Sequence, residues 1–137
     1  MNTKVLLATV AVTVFYFFAG WVIFGMALTG VYAERMTPYE GLLNEIPSLV
    51  PLVLMNLTWA FLIVMLTYKL GSDTLQGGFM TGLWVGFLVV ASYNLSMAAF
   101  YNLMSPQLLI IDTLAATLMI AAGGAIGGLI LGLSSKE

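Results

Sequence analysis

Residues 105–133, SPQLLIIDTLAATLMIAAGGAIGGLILGL, form the stretch that decides the predicted fold. The stretch is a long apolar run that contains one ionisable residue, Asp112. Its glycines at every fourth position are Gly124, Gly128 and Gly132. On a helix they form one nearly smooth stripe against which another backbone can pack closely. The stretch therefore predicts a membrane-spanning helix with a closely packed helical partner.

A matching stripe of glycines lies in the preceding apolar run, at Gly78, Gly82 and Gly86. Folding the two runs back on each other about Ser105 brings the stripes together in a single register. The predicted pairs are Gly78 with Gly132, Gly82 with Gly128, and Gly86 with Gly124. We therefore expect an antiparallel helical hairpin in which these six glycines are helix-packing residues.

The composition is that of an integral membrane protein. Of 137 residues, 61% are hydrophobic and 7% are charged, so lipid must solvate much of the surface. The net charge of −2, without a basic cluster, argues against a nucleic-acid partner. The absence of cysteine and histidine excludes disulfides, thiolate or imidazole metal sites, and Cys or His nucleophiles. We expect no metal, no cofactor and no enzymatic activity.

Four apolar runs reach the roughly 20 residues that a helix needs to cross the hydrocarbon core. They cover residues 4–32, 47–68, 75–101 and 107–133. Each run must be helical, because lipid cannot satisfy free backbone groups and the alternation of a membrane β-barrel is absent. The sequence predicts one all-α domain over residues 1–137, a bundle of four transmembrane helices joined as antiparallel up-down hairpins.

The distribution of basic residues predicts the orientation of this bundle. Lys4, Lys69 and Lys136 fall on one side of the membrane and Arg35 falls on the other. Both termini are therefore expected in the cytoplasm, with an acidic loop over residues 33–46 outside.

Two structures are consistent with that first loop. Its apolar residues at helical spacing are Tyr39, Leu42, Leu43 and Ile46. They are compatible with a short helix lying on the membrane surface. They are equally compatible with a solvated loop whose apolar side chains cover the end of the bundle.

Asp112 is the strongest candidate for a functional site, since a charge at membrane depth must be paired, hydrated or protonated. Counting inward from the helix ends, Asn94 and Asn56 reach comparable depth. The predicted intramembrane polar site consists of Asp112, Asn94, Asn56, Thr58 and Ser96. It is compatible with a proton or polar-solute site. It is also compatible with buried hydrogen bonds that fix helix register, the more common role of such residues in small bundles.

The aromatic residues allow a second interpretation. A possible apolar ligand pocket for a lipid, quinone or pigment would be lined by Trp21, Trp59, Trp84 and Tyr16. Core packing and lipid contact are the more frequent roles of such side chains.

Several features are similar to those of small bacterial membrane proteins. They are Gly20-Trp21 in the first span, Gly78-Phe79-Met80-Thr81-Gly82 and Gly86-Phe87 in the third span, Asn94 near its outer end, and a last span rich in small residues. Together they resemble the family called domain of unknown function 1761. The resemblance implies four spans and a bacterial inner membrane, and it transfers no catalytic residue.

Three classes of function are compatible with these features. The first expectation is a structural, accessory or self-associating membrane component, with membrane lipid and either a second copy or a larger complex as partner. The alternative is a small oligomeric transporter or channel that uses Asp112 with Asn94 and Asn56. A membrane enzyme is third, because the acids and hydroxyls are isolated rather than arranged as nucleophile and base.

Overall fold

The computed structural model describes residues 2–133, which are helical apart from their connecting segments. The elements are α1 (Thr3–Val22), a π-helical turn (Ile23–Ala27), α2 (Thr29–Arg35), α3 (Leu49–Lys69), α4 (Leu75–Phe100) and α5 (Pro106–Leu133). Four helical stretches are long and apolar enough to cross a membrane: Thr3–Ala27, Leu49–Lys69, Leu75–Phe100 and Pro106–Leu133. The predictions of an all-α chain and of four apolar helices of spanning length are confirmed.

Local sequence signals explain where several of these helices begin and end. The side chain of Asn2 accepts from the Lys4 N–H at the start of α1, and that of Thr74 accepts from the Gly77 N–H at the start of α4. At the end of α3, Gly71 has φ +64°, a conformation that favours glycine. Ser72 N–H then bonds the carbonyl of Thr67 and closes the helix.

The first apolar run is interrupted, in contrast to the continuous span predicted over residues 4–32. The π-turn closes with a bond from the Leu28 N–H to the Ile23 carbonyl. Gly25 lies beside the indole of Trp21, and a Cβ there would be 2.9 Å from its Cδ1 atom. The extra residue in the turn changes the direction of the chain, so α2 is a separate helix.

The fold is built around α5, which contacts each of the other three long helices. Within an 18-residue hydrophobic stretch of α5, 44% of the residues are buried. In the corresponding stretches of the other three long helices the buried share is 11–22%. One core cluster joins α1, α3 and α5 through buried Val5, Ala8, Val12, Tyr16, Ala60, Val64 and Leu131. A smaller cluster joins α3, α4 and α5 through Ile63, Val90 and Ile120.

The glycine stripes of α4 and α5 meet, and their contacts run in opposite directions along the two helices. A Cβ built on Gly78 would lie 3.0 Å from Gly128 Cα, and one on Gly124 would lie 3.2 Å from Gly82 Cα. Gly86 faces the side chain of Ile120. The two backbones therefore approach within a distance that a methyl group at these positions would prevent.

The register predicted for these glycines is wrong by one helical turn. Gly132 does not face Gly78, because its nearest neighbour is the carbonyl of Asp73 just before α4. The prediction placed the fold-back at Ser105, whereas α4 ends at Phe100 and α5 begins at Pro106. The centre of the connection is therefore Leu103, two residues before Ser105. Moving the fold-back point by two residues moves the partner of each α4 residue by four residues along α5.

The first loop contains no helix between Met36 and Ser48, so the surface-helix alternative is wrong. Its beginning pairs with the connection between α4 and α5. The Thr37 N–H bonds the Leu103 carbonyl at 2.7 Å, and the Ser105 N–H bonds the Arg35 carbonyl at 3.0 Å. We call the end of the bundle that holds both segments the 101–105 end.

Gly82→Ala is expected to destabilise the protein more than Gly20→Ala. A methyl at position 82 would lie 2.7 Å from the Ile120 carbonyl oxygen and 2.8 Å from Ala121 Cα, and neither backbone atom can move alone. We expect a loss of about 1–3 kcal/mol in the free energy of unfolding, as for other overpacked interiors. The measurement is equilibrium unfolding in mixed detergent micelles.

Gly20 is a matched control because it is also a glycine within a spanning helix. A Cβ there meets only the Met119 sulfur at 3.8 Å, an ordinary van der Waals distance. Equal stability of the two variants would contradict the close packing of α4 on α5.

Candidate functional site

Asp112 lies in the first part of α5, six residues after Pro106 and therefore about 9 Å from the helix start. Its side chain is half-buried. Tyr32 Oη donates a hydrogen bond to Oδ1, and Asn94 Nδ2 donates one to Oδ2 at 2.7 Å. Each carboxyl oxygen thus accepts from a different helix, α2 or α4. The intramembrane carboxyl group joins three helices.

Asn94 extends this cluster to a second residue of α5. Its Nδ2 also donates to Thr113 Oγ1 at 2.9 Å, and that hydroxyl donates to the Leu109 carbonyl at 2.7 Å. Asn94 is buried, with 4% of its surface exposed. We call Tyr32, Asn94, Asp112 and Thr113 the polar cluster.

Backbone geometry brings each member of the polar cluster into place. The one-turn shift of the glycine register moves Asp112 from the level of Ala98 to that of Asn94. The π-turn and the backbone pairing with residues 103–105 hold α2 over this end of α5, so that Tyr32 reaches the carboxyl group. Sequence reasoning missed Tyr32, although a tyrosine hydroxyl at the end of an apolar run is a natural donor to a carboxylate.

The other residues predicted for the polar site lie elsewhere. Asn56 is buried in α3 and donates to the Leu52 carbonyl of its own helix at 2.9 Å. Thr58 is exposed and bonds the Leu54 carbonyl, and Ser96 is exposed on α4. Similar depth from the helix end places residues at one level, but the face of the helix decides whether they meet.

The four aromatic residues proposed to line a pocket do not share one. Trp21 and Trp84 are 60% and 62% exposed on the outside of the bundle. Trp59 packs against both core clusters. Tyr16 is fully buried and donates to the Ile120 carbonyl at 3.0 Å, in space left by Gly123. Two of these side chains belong to the core and two are available to lipid.

An apolar groove lies instead between α4 and α5, beside the polar cluster. Its volume is about 250 Å³. Its lining residues are Phe87, Ala91, Asn94, Leu95, Leu109, Ile110, Thr113 and Leu114. Asn94 and Thr113 thus belong both to the polar cluster and to the groove.

The chemistry of this region is that of hydrogen bonding. Within residues 2–133 no group of three or more acidic, Cys or His side chains could hold a metal ion. Within the polar cluster, the carboxyl group of Asp112 accepts hydrogen bonds from a phenol and an amide, and the same amide also donates to the Thr113 hydroxyl. Such a set orients helices and can hold a polar group.

Comparison with known proteins finds no family model, no curated protein and no solved structure that matches the chain. The resemblance to the domain of unknown function 1761 family therefore rests on the quoted residues alone.

Asp112→Asn is expected to retain stability, whereas Asp112→Leu is expected to lose it. An asparagine oxygen can still accept from Asn94, and its amide can donate to the Tyr32 oxygen, which is both donor and acceptor. Leucine would leave the Asn94 amide and the Tyr32 hydroxyl without this partner, at a cost of about 1–3 kcal/mol each if they stay buried. Thermal unfolding in detergent measures both variants.

Tyr32→Phe provides a control for the contribution of α2. It removes one of the two bonds to Asp112 and retains the ring, so an intermediate loss of stability is expected. A loss in Asp112→Asn as large as in Asp112→Leu would contradict the purely hydrogen-bonding role.

Proposed function

We propose that this protein is a structural or accessory component of a membrane, which acts by assembling with a second copy of itself or with a larger complex. The main support is that the carboxyl group of Asp112, within an apolar helix, forms hydrogen bonds between helices. Both oxygens of Asp112 accept hydrogen bonds from neighbouring helices, so this carboxyl group serves to hold α2, α4 and α5 together.

The exposed side of α4 supports assembly as the mode of action. Ser92, Ser96 and Ala99 are exposed and recur at positions i, i+4 and i+7, which places them on one face of the helix. Small and hydroxyl residues on a lipid-facing surface allow a partner helix to approach closely and to form interhelical hydrogen bonds. We propose this Ser92–Ser96–Ala99 face as the surface for a homo-oligomer or for a larger complex.

The proposed location is the inner membrane of a bacterium, as the family resemblance implies. The four spans would form antiparallel up-down hairpins with both termini in the cytoplasm. Contacts between α4 and α5 run in opposite directions along the two helices, which supports an antiparallel hairpin formed by this pair. Lys4 and Lys69 support the orientation, and Lys136 lies outside the described residues.

Reporter fusions test this topology. A reporter placed after Glu137 should be active in the cytoplasm, and one inserted near Glu40 should be active outside. Glu40 lies in the exposed loop between α2 and α3, so an insertion there leaves the helices intact. The reverse pattern would contradict the orientation.

Native mass spectrometry in mild detergent tests assembly. We expect the parent protein to appear as an oligomer, or with a partner chain when it is purified from its own membrane. Changing Ser92 and Ser96 together to leucine should reduce that assembly without lowering the thermal stability of the bundle, because both side chains are exposed. Val53→Leu, on the exposed side of α3, is the control.

Transport is the second candidate, and one observation favours it. Thr117 Oγ1 is enclosed and makes no hydrogen bond within residues 2–133. It lies one turn beyond Thr113 toward the middle of α5, where a polar partner would extend the polar cluster inward. Two results together would contradict the accessory role and favour a transporter. The parent protein would be strictly monomeric, and its pH-dependent flux in vesicles would be lost in a stable Asp112→Asn variant.

A further inference from the structure

The groove between α4 and α5 is lined by Asn94, whose acceptor atom is not used within the described part of the chain. Both donor bonds of the Asn94 amide go to α5, to Asp112 Oδ2 and to Thr113 Oγ1. Its Oδ1 atom makes no hydrogen bond within residues 2–133. The orientation of the amide is determined by the carboxyl group, because a flipped amide would place two acceptor oxygens together.

Asn94 lines the groove, and its Oδ1 atom is not fully enclosed within the bundle. Thr117 Oγ1 is the one enclosed side-chain polar atom without a partner among the described residues. Asn94 Oδ1 also lacks a partner, so it retains accessible surface, and Asn94 lines the groove although its side chain is 4% exposed. A buried acceptor surrounded by apolar walls is unfavourable until a donor reaches it.

The walls of the groove match a hydrocarbon chain. Around Asn94 they are formed by Phe87, Ala91, Leu95, Ile110 and Leu114. Four of these side chains are 43–69% exposed and would face lipid: Phe87, Leu95, Ile110 and Leu114. The groove continues along α4 from Asn94 to Phe87, away from the 101–105 end and toward the middle of the helix.

We propose that this groove binds a lipid alcohol, an apolar chain with a free hydroxyl group. The hydroxyl donates to Asn94 Oδ1, and the chain lies along the groove toward Phe87. The proposal extends beyond an assembly role and does not depend on it.

The depth of Asn94 favours an alcohol over a phospholipid. Asn94 lies six residues before Phe100, so it is about 9 Å inside the end of α4. The groups of a diacyl phospholipid that connect its headgroup to its chains are esters, which accept hydrogen bonds but do not donate them. A hydroxyl attached to the chain supplies a donor at this depth.

Charge favours a neutral ligand. Asp112 Oδ2 is 2.7 Å from Asn94 Nδ2, on the other side of the same amide group. A phosphate or a fatty-acid carboxylate bound at Asn94 would bring anionic oxygens, which only accept hydrogen bonds, against the acceptor Asn94 Oδ1 and close to the oxygens of Asp112. A neutral hydroxyl avoids that repulsion.

A comparison of two ligands with the same chain, one with a hydrogen-bond donor and one without, tests the proposal. Detergent-stripped protein is incubated with oleyl alcohol or with oleyl methyl ether, and the bound fraction is measured by native mass spectrometry. The two ligands have the same chain, and the ether cannot donate. One neutral hydrogen bond corresponds to about fivefold tighter binding of the alcohol. Equal binding of the ether would overturn the proposal.

A pair of variants locates the site without changing the polar cluster. Ala91→Leu fills the groove and should reduce retention of oleyl alcohol about tenfold, whereas Val89→Leu, an exposed position of α4 that does not line the groove, should leave it unchanged. Unchanged retention in Ala91→Leu would place the ligand elsewhere and overturn the assignment. If that variant does not fold, the comparison of alcohol with ether in the parent protein still decides.

Two further measurements distinguish other occupants of the groove. Equal competition by dioleoylphosphatidylcholine, which has no hydrogen-bond donor, would indicate a general lipid surface and would contradict selection by a donor. A change in oligomeric state in Ala91→Leu, with no alcohol bound to the parent protein, would indicate that a second copy fills the groove, and the proposal would be wrong.

Discussion

The close contact between the backbones of α4 and α5 is the constraint on which the rest of the structure depends. Glycines at Gly78, Gly82, Gly124 and Gly128 remove the side chains that would separate the two helices. Backbones packed at this distance have one favourable register, because each glycine must face the other helix. The register then determines which polar residues of α4 and α5 lie at the same level.

That register places Asn94 beside Asp112, and the pairing makes a carboxyl group tolerable at this depth. An unpaired charge in the hydrocarbon region would cost several kcal/mol. Tyr32 completes the arrangement from α2, a helix that exists because the first apolar run changes direction at the π-turn. Packing of the glycines and hydrogen bonding of the carboxyl group therefore act together. The glycine packing places Asn94 and Asp112 at the same height in the bundle, and the hydrogen bond from Tyr32 holds α2 to it.

Two different surfaces of α4 are available for binding. On one side, Asn94 lines the groove between α4 and α5 together with apolar side chains. On another, Ser92, Ser96 and Ala99 form an exposed face of small residues on α4. Among the four spanning helices, α4 has the smallest share of buried residues in its hydrophobic stretch, 11%, which leaves side chains available for lipid or for a partner. Both proposals about function concern α4 for that reason.

The sequence by itself determined the class of the protein: four apolar helices of spanning length and two glycine stripes. It also identified Asp112 and Asn94, because an ionisable or amide group within an apolar run requires a partner. Composition and periodicity suffice for these predictions, since they depend on local properties of the chain. The register, the break after Ala27, the role of Tyr32 and the separation of Asn56 from the cluster were decided by the tertiary structure. They depend on where a connection turns and on which face of a helix meets its neighbour, and a shift of two residues at Leu103 changes every pair by a full turn.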